Sequence, residues 1–269
     1  MSWQIFAVSE TTATTLEAGL REAKVAHRTS IVDHRRLGGS VGEALDAGFR
    51  RLAIEGGDAE LADAVAEVGA RRLGHQTDMA LITTDSDLLR TFAADQTVEG
   101  SIDRIVDHTP YPIDCGHVEG AFGERLFVNS VAAGVLASGS RWFPWWPNPL
   151  LPARAISVTV EGSVTEAVAS GVLVLNGQFW GPWSIAPRST LVDGVMDVQV
   201  FNGHRIALSR LRHSMRNGMH VRSHHVRRRS LADADIAAPS VWPVVVDGIR
   251  VGHGAFRVSC LPAAVRLAI

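Results

Sequence analysis

The sequence predicts an α/β protein joined to a second, mainly β domain. Three observations predict it. Residues 1–112 alternate short apolar runs with helix-like segments, residues 113–269 string together short strand-like runs split by Gly, Pro or Asn, and the change falls at Pro110-Tyr111-Pro112. The domains are therefore expected at 1–112 and 113–269, with the last strand able to return to the first domain.

In the first part, Gln4–Val8 is a short apolar strand, and Thr12–Ala23 sets Leu16 and Leu20 on one helical face. Arg28–Val32 is strand-like, Val41–Phe49 helical and Arg51–Glu55 strand. Asp58–Leu73 is alanine-rich and helical, Met79–Ile82 is a strand, and Asp85–Ala94 is a helix. Four βα units in this span imply a mainly parallel sheet. In the second part, strands are expected at 113–118, 125–131, 155–160, 171–175, 196–201, 234–236, 241–246, 256–259 and 265–269.

The bulk numbers set limits. A chain of 269 residues, 46% hydrophobic and 20% charged, is a globular sequence long enough for two cores. A formal net charge of −2 argues against generic binding of nucleic acid. Lys24 is the only lysine, which reads first as coding bias. Cys115 and Cys260 lie far apart with no metal spacing, pointing to thiols in a reducing compartment. With no secretory signal pattern and no run of about 18 apolar residues, a cytoplasmic protein is expected.

Four turns carry the functional signal. Gly56-Gly57-Asp58 sits between a strand and a helix, the arrangement by which α/β proteins bring backbone close to a phosphate. Asp58 is also a candidate for a metal or a sugar hydroxyl. The plainer reading is a tight turn in which Asp58 caps the next helix. Thr83-Thr84-Asp85-Ser86-Asp87 again joins strand to helix at the same end of a parallel sheet, where Asp85 or Ser86 alone reads as an N-cap. Val244–Val246 ends in Asp247-Gly248, which by itself is a hairpin turn. The last element pairs Ala186-Pro187 with Asp193-Gly194-Val195-Met196-Asp197, a turn before a strand.

In this order the four turns resemble the diacylglycerol kinase catalytic-domain family. Gly56 to Ala66 is similar to its Gly-Gly-Asp-Gly-Thr run, and Thr83 to Thr91 to its Gly-Thr-Gly-Asn-Asp run, keeping Thr84, Asp87, Arg90 and Thr91. Ile113–Gly120, Phe127–Ala132, Asn176-Gly177, Asp193–Asp197 and Asp247-Gly248 resemble later segments. The resemblance implies an NAD kinase/diacylglycerol kinase-like fold, a parallel-sheet domain with a β-sandwich second domain that admits acyl chains. It implies ATP and Mg2+ as cofactors of an active member, with Gly56, Gly57, Asp58, Thr84 and Asp87 at the nucleotide. Asp247 corresponds to the base that deprotonates the acceptor hydroxyl, and Asp193 to a divalent-metal site.

The departures cluster where chemistry is expected. Val8-Ser9-Glu10-Thr11-Thr12 replaces a phosphate-contacting Asn-Pro-x-(Ser/Ala)-Gly, Ala59-Glu60 replaces Gly-Thr, Thr83 and Asp85 replace two glycines, and Ile249 replaces a Glu. Adding Glu10, Glu60 and Asp85 around a triphosphate is unfavourable, since a like-charge contact near 4 Å costs about 1 to 4 kcal/mol. The expectation is a lipid kinase-like protein with weakened or lost ATP phosphotransfer. Its role is then to bind a lipid, a membrane surface or a partner. The alternatives are an active diacylglycerol-type kinase and the related nicotinamide-dinucleotide kinase group.

His204–Arg229 holds eight arginines, five histidines and no acid, with Leu208, Leu211, Met215 and Met219 at helical spacing. A basic amphipathic helix of this kind suits an anionic membrane surface, more so at mildly acidic pH, or packs on its own domain. Trp142–Pro147, aromatic and broken by prolines, suits a membrane interface, a ligand mouth or a loop over the core. Trp180 and Trp183 stand where the family carries small residues, narrowing an acyl pocket. Oligomeric state, lipid and acyl length stay open.

Overall fold

The computed structural model describes residues 2–137, 153–202, 211 and 213–269. Its first strand, β1 (Trp3–Ala7), is buried at every position, as a strand covered on both faces requires. The chain continues through α1 (Glu10–Glu22), β2 (His27–Ile31), α2 (Leu37–Asp46), β3 (Arg51–Glu55), α3 (Asp58–Ala70), β4 (Asp78–Ile82), α4 (Asp87–Thr91) and α5 (Val98–Asp107). β1 pairs in parallel with β2 on one side and β3 on the other, and β3 pairs in parallel with β4. The end of the chain closes the sheet, with Arg266 opposite Asp78 and Leu267 opposite Met79.

The helices form where caps and faces permit. Ser9 caps α1 by accepting from the Thr12 N–H, and Ala13, Leu16 and Leu20 give it a buried face. The helix expected over 85–94 is shorter, because Ser86 caps it at one end and Ala93 takes a left-handed conformation (φ 53°) at the other. α5 was not expected from the sequence. Thr97 caps it, and its Ile102 lies so close to Gly19 that a Cβ there would approach to 2.6 Å.

The second unit spans Gly116–Leu261, while Met1–Cys115 and Pro262–Ile269 make up the first. Its strands are β5 (Pro110–Gly120), which carries the chain across that boundary, β6 (Gly123–Phe127), β7 (Ser130–Gly134), β8 (Arg154–Val160) and β9 (Ser163–Leu175). They continue as β10 (Phe179–Trp180), β11 (Trp183–Ser184), β12 (Met196–Asn202), β13 (Val226–Leu231), β14 (Asp233–Ala237), β15 (Pro243–Val246), β16 (Ile249–His253) and β17 (Phe256–Ala268). β9 is the hinge of the sandwich: its first half pairs with β8, and its second half lies between β7 and β12. Phe127, Phe201 and Trp242 fill the core. Gly116 leaves room for the Phe127 ring, which would stand 2.0 Å from a Cβ.

Two expectations change here. The strand expected over 125–131 is split into β6 and β7 by a turn at Val128-Asn129. In the basic run the helical part ends before Met219: Leu211 and His213–Met215 are helical, Met219–Arg222 is a 3-10 turn, and Val226–Leu231 is β13. β13 lies beyond the residues at helical spacing and pairs with β12 along six residues. Residues 203–210 and 212, and the Trp142–Pro147 loop, lie outside the described residues. Trp180 and Trp183 face each other across the β10–β11 pair, with Trp183 buried in the sandwich core. Among the described residues no helix is long and apolar enough to cross a membrane.

Asp78 fastens the chain end to the first unit, reaching His108 Nε2 at 2.8 Å and Arg266 Nε at 2.9 Å. Replacing it leaves both His108 and Arg266 without this partner, whereas Arg266 is itself 40% exposed along its side chain. Asp78→Ala is expected to cost about 2 kcal/mol of unfolding free energy and Arg266→Ala under about 1 kcal/mol, as urea denaturation measures. Equal losses would contradict the clamp.

Candidate functional site

β1, β3 and β4 lie side by side, and each hands the chain to a helix at the same end of the sheet. The connection from β1 runs outward to β2, while β3 returns on its other side. That reversal is a switch point, the place where open α/β sheets bind ligands. Backbone N–H groups at the starts of α1 and α3 are the donors such a site offers to phosphate.

A carboxylate of the protein already uses those of α1. Glu55, the last residue of β3, accepts from the N–H groups of Val8 (2.5 Å) and Ser9 (3.2 Å) through Oε2, and from the Thr12 hydroxyl through Oε1 (2.8 Å). The Ser9 hydroxyl donates in turn to Thr12 Oγ1 (2.8 Å). Glu55 thus stands where an anion belongs, at the positive end of a helix.

The glycine turn is closed in the same way. The Gly57 N–H donates to Glu60 Oε2 (2.8 Å), the acidic half of a capping box. Glu60 also meets His34 Nδ1 at 3.3 Å. Its side chain lies over Gly56, where a Cβ would come within 2.6 Å of Glu60 Cβ and 2.7 Å of its Cγ. Glycine at 56 therefore admits Glu60, a residue of this chain, into the space above the turn.

Asp58 is buried and looks inward. Its Oδ1 accepts from the Ser86 hydroxyl (2.5 Å) and its Oδ2 from the Asp87 N–H (3.2 Å), tying the α3 start to the α4 start. Ser86 Oγ caps Leu89 N–H (3.0 Å), and the Ser86 backbone is held on both sides by the Gln96 amide (2.6 and 3.1 Å). Arg90 bridges Asp87 (2.5 Å) and Asp85 (3.0 Å). The charge of Asp85, expected to repel phosphate, is offset by this guanidinium. Glu10 is exposed and lies clear of these bonds.

The structure therefore brings Gly56, Gly57, Asp58 and Asp87 together, with Thr84 exposed on the same loop. A triphosphate does not fit this arrangement of residues: the N–H groups of Val8, Ser9 and Gly57 are engaged by carboxylates, and Glu60 covers Gly56. Among the described residues no group of three His, Cys, Asp or Glu is placed to hold a metal ion. Asp193 is exposed and accepts from its own Val195 N–H (3.2 Å), a local turn.

Asp247 belongs to the second unit. With Gly248 it forms the β15–β16 hairpin, both residues at positive φ (43° and 83°), as a type I′ turn needs. Its carboxylate accepts three backbone N–H groups: Val128 (2.8 Å) on Oδ2, and Asn129 (3.1 Å) and Ser130 (2.7 Å) on Oδ1. Asn176 Nδ2 donates to the Val128 carbonyl (3.0 Å), so the turn between β6 and β7 is held from two sides. Burial pushes the Asp247 carboxyl up to about 6, against the pull of the three N–H groups and Arg125.

Sequence reasoning missed Glu55, Ser86 as the link to Asp58, and a buried polar row in the sandwich. In that row Asp197 pairs with Arg228 and accepts from Gln199 Nε2 (2.9 Å), and Gln199 Oε1 meets His220 Nε2 (2.7 Å). Burial raises the Asp197 carboxyl and lowers His220 to about 4, so His220 is neutral at pH 7 and adds nothing to binding in mild acid. The alternation Met196-Asp197-Val198-Gln199-Val200 was the available signal.

The comparisons with known proteins agree with this fold. A diacylglycerol kinase from Bacillus anthracis str. Sterne superposes with a TM-score of 0.78 at 16% identity, over 99% of this chain and 96% of that one. A provisionally assigned diacylglycerol kinase from the same organism gives 0.82 at 16% identity, over 99% and 95%. An NAD kinase from Archaeoglobus fulgidus in complex with ATP gives 0.57 at 11%, over 100% and 94%. No curated protein matches the sequence. The class is thus the NAD kinase/diacylglycerol kinase-like fold. Residues 151–269 match the family model of the YegS C-terminal NAD kinase beta sandwich-like domain, and the whole chain has the fold of the diacylglycerol kinase-like proteins.

Because the folded pKa of Asp247 (about 6) exceeds its ordinary 3.8, the folded state binds the extra proton between those values. Its contribution to stability is then present below about pH 4 and lost as pH rises through about 6, on the order of 3 kcal/mol in all. Urea unfolding across that window is expected to show the wild type losing stability relative to Asp247→Asn. Parallel pH profiles would contradict the assignment.

Proposed function

We propose that the chain is a lipid kinase-like protein whose ordinary ATP phosphotransfer is lost or much weakened, and which acts by binding a lipid, a membrane surface or a partner. The observation that carries this reading is Glu55, bonded to the Val8 and Ser9 N–H groups and the Thr12 hydroxyl. Glu60 on the Gly57 N–H extends it to the second loop. An incoming phosphate has to displace or face two carboxylates, at about 1 to 4 kcal/mol for each contact near 4 Å. Phosphoryl transfer relies on neutralising phosphate charge, and these residues add to it.

One observation favours the alternative, an active kinase of diacylglycerol or a similar lipid using ATP and Mg2+. A carboxyl titrating near 6 suits a general base. Its two oxygens, however, already accept three backbone N–H groups. Asp193 as a metal ligand belongs to that alternative too. A cytoplasmic location, with attachment to a membrane surface, fits the lead reading.

Calorimetric titration with magnesium-ATP is expected to show no binding up to about 1 mM. Transfer of labelled phosphate to diacylglycerol in mixed micelles is expected to be absent. Glu55→Ala/Glu60→Ala, verified as folded by circular dichroism, is expected to gain at least about tenfold in ATP affinity, since tenfold corresponds to 1.4 kcal/mol. Micromolar binding by the wild type, with transfer that Asp247→Asn abolishes, would overturn the reading.

A further inference from the structure

β13 converts the arginine run into a strand with two different faces. Arg227 stands opposite Val200, Arg228 opposite Gln199 and Arg229 opposite Val198. Side chains alternate along a strand, so Arg228 points one way and its neighbours the other. Arg228 enters the buried polar row and pairs with Asp197. That pairing fixes the register of the strand and presents Arg227 and Arg229 on the opposite face, their Cα atoms roughly 7 Å apart.

On that face lies a cavity of about 340 Å³ between two sheet ladders. Val198 and Val200 of β12 form one wall, and Val158 of β8 with Thr165 and Ala167 of β9 the other. Val158, Val198 and Val200 belong to the sandwich core, so the cavity is a stretch of core left unfilled at the edge. The size falls in the range of small-molecule sites. No acidic side chain lines it. Arg227 and Arg229 are exposed and form no ion pair among the described residues; Arg227 reaches only the Glu166 carbonyl, at 3.4 Å.

We propose that this cavity holds an acyl chain of an anionic lipid, whose phosphate monoester head is bound by Arg227 and Arg229. An apolar slot with cations at its mouth is complementary to an amphiphile whose head is negative, and the guanidinium fork matches phosphate oxygens in pairs. A neutral lipid would leave both arginines without a counter-charge. The proposal rests on the lipid-binding half of the function above and is independent of whether ATP is used.

The test is calorimetry of the full chain with dodecyl phosphate, kept below its micelle concentration. Inorganic phosphate and dodecyl maltoside separate head from tail. Dodecyl phosphate is expected to bind, and each separated half to bind at least about tenfold more weakly, a margin of 1.4 kcal/mol. Arg227→Ala/Arg229→Ala and, separately, Ala167→Leu are each expected to weaken dodecyl phosphate about tenfold or more with the unfolding midpoint kept. Equal binding of dodecyl maltoside, unchanged binding in either variant, or no binding of dodecyl phosphate would overturn the proposal. So would binding confined to anionic vesicles and indifferent to Ala167→Leu, which would mark a surface attraction. No nucleotide enters this experiment, so its failure leaves the ATP reading untouched, and micromolar ATP binding would leave this one standing.

Discussion

The carboxylate of Glu55, set where β1 and β3 part company, governs the character of the first unit. A parallel sheet with a switch point produces a crevice lined by helix N-termini, and that crevice attracts an anion. Here the anion is supplied by the chain. Bonds from Val8, Ser9 and Thr12 converge on one side chain and lock the start of α1 to the end of β3. Charge-assisted bonds of this kind are about twice as strong as neutral ones. The same contacts that hold the fold therefore engage N–H groups of the kind that such a crevice offers to a phosphate.

The turns next to it follow the same logic. Glu60 satisfies Gly57, Asp58 satisfies Ser86 and Asp87, and Arg90 balances Asp85 and Asp87. In the second unit Asp247 gathers three N–H groups of the turn between β6 and β7, and Asp197 gathers Arg228 and Gln199. Polar residues with a place in catalysis by resemblance are thus bonded into the structure. Buried polar groups left without partners cost about 1 to 3 kcal/mol each, which explains why these loops are closed so thoroughly.

Much of this architecture was legible. The buried runs of β1, β3 and β4, each ending in a turn with a helix behind it, announced the parallel sheet. Short β-branched runs announced the sandwich. Gly56-Gly57-Asp58 and Thr84–Asp87 were rightly placed at one end of that sheet. Glu55 was not legible, because its meaning depends on β1 lying beside β3, a long-range pairing that no local pattern encodes. α5 escaped for a related reason: with Gly100 and Ser101 inside it, its helix depends on the Thr97 cap and on packing against Gly19. β13 was masked by three consecutive arginines, whose two faces separate only once pairing with β12 sets their direction.

The central claim is that carboxylates of the chain occupy the phosphate donors at the ends of β1 and β3. Amide NMR of Val8, Ser9 and Gly57 tests it most directly. The account predicts that these three signals stay in place when magnesium-ATP is added and that those of Val8 and Ser9 move in Glu55→Gln. Shifts of all three on adding magnesium-ATP to the wild type, with no response to Glu55→Gln, would contradict it.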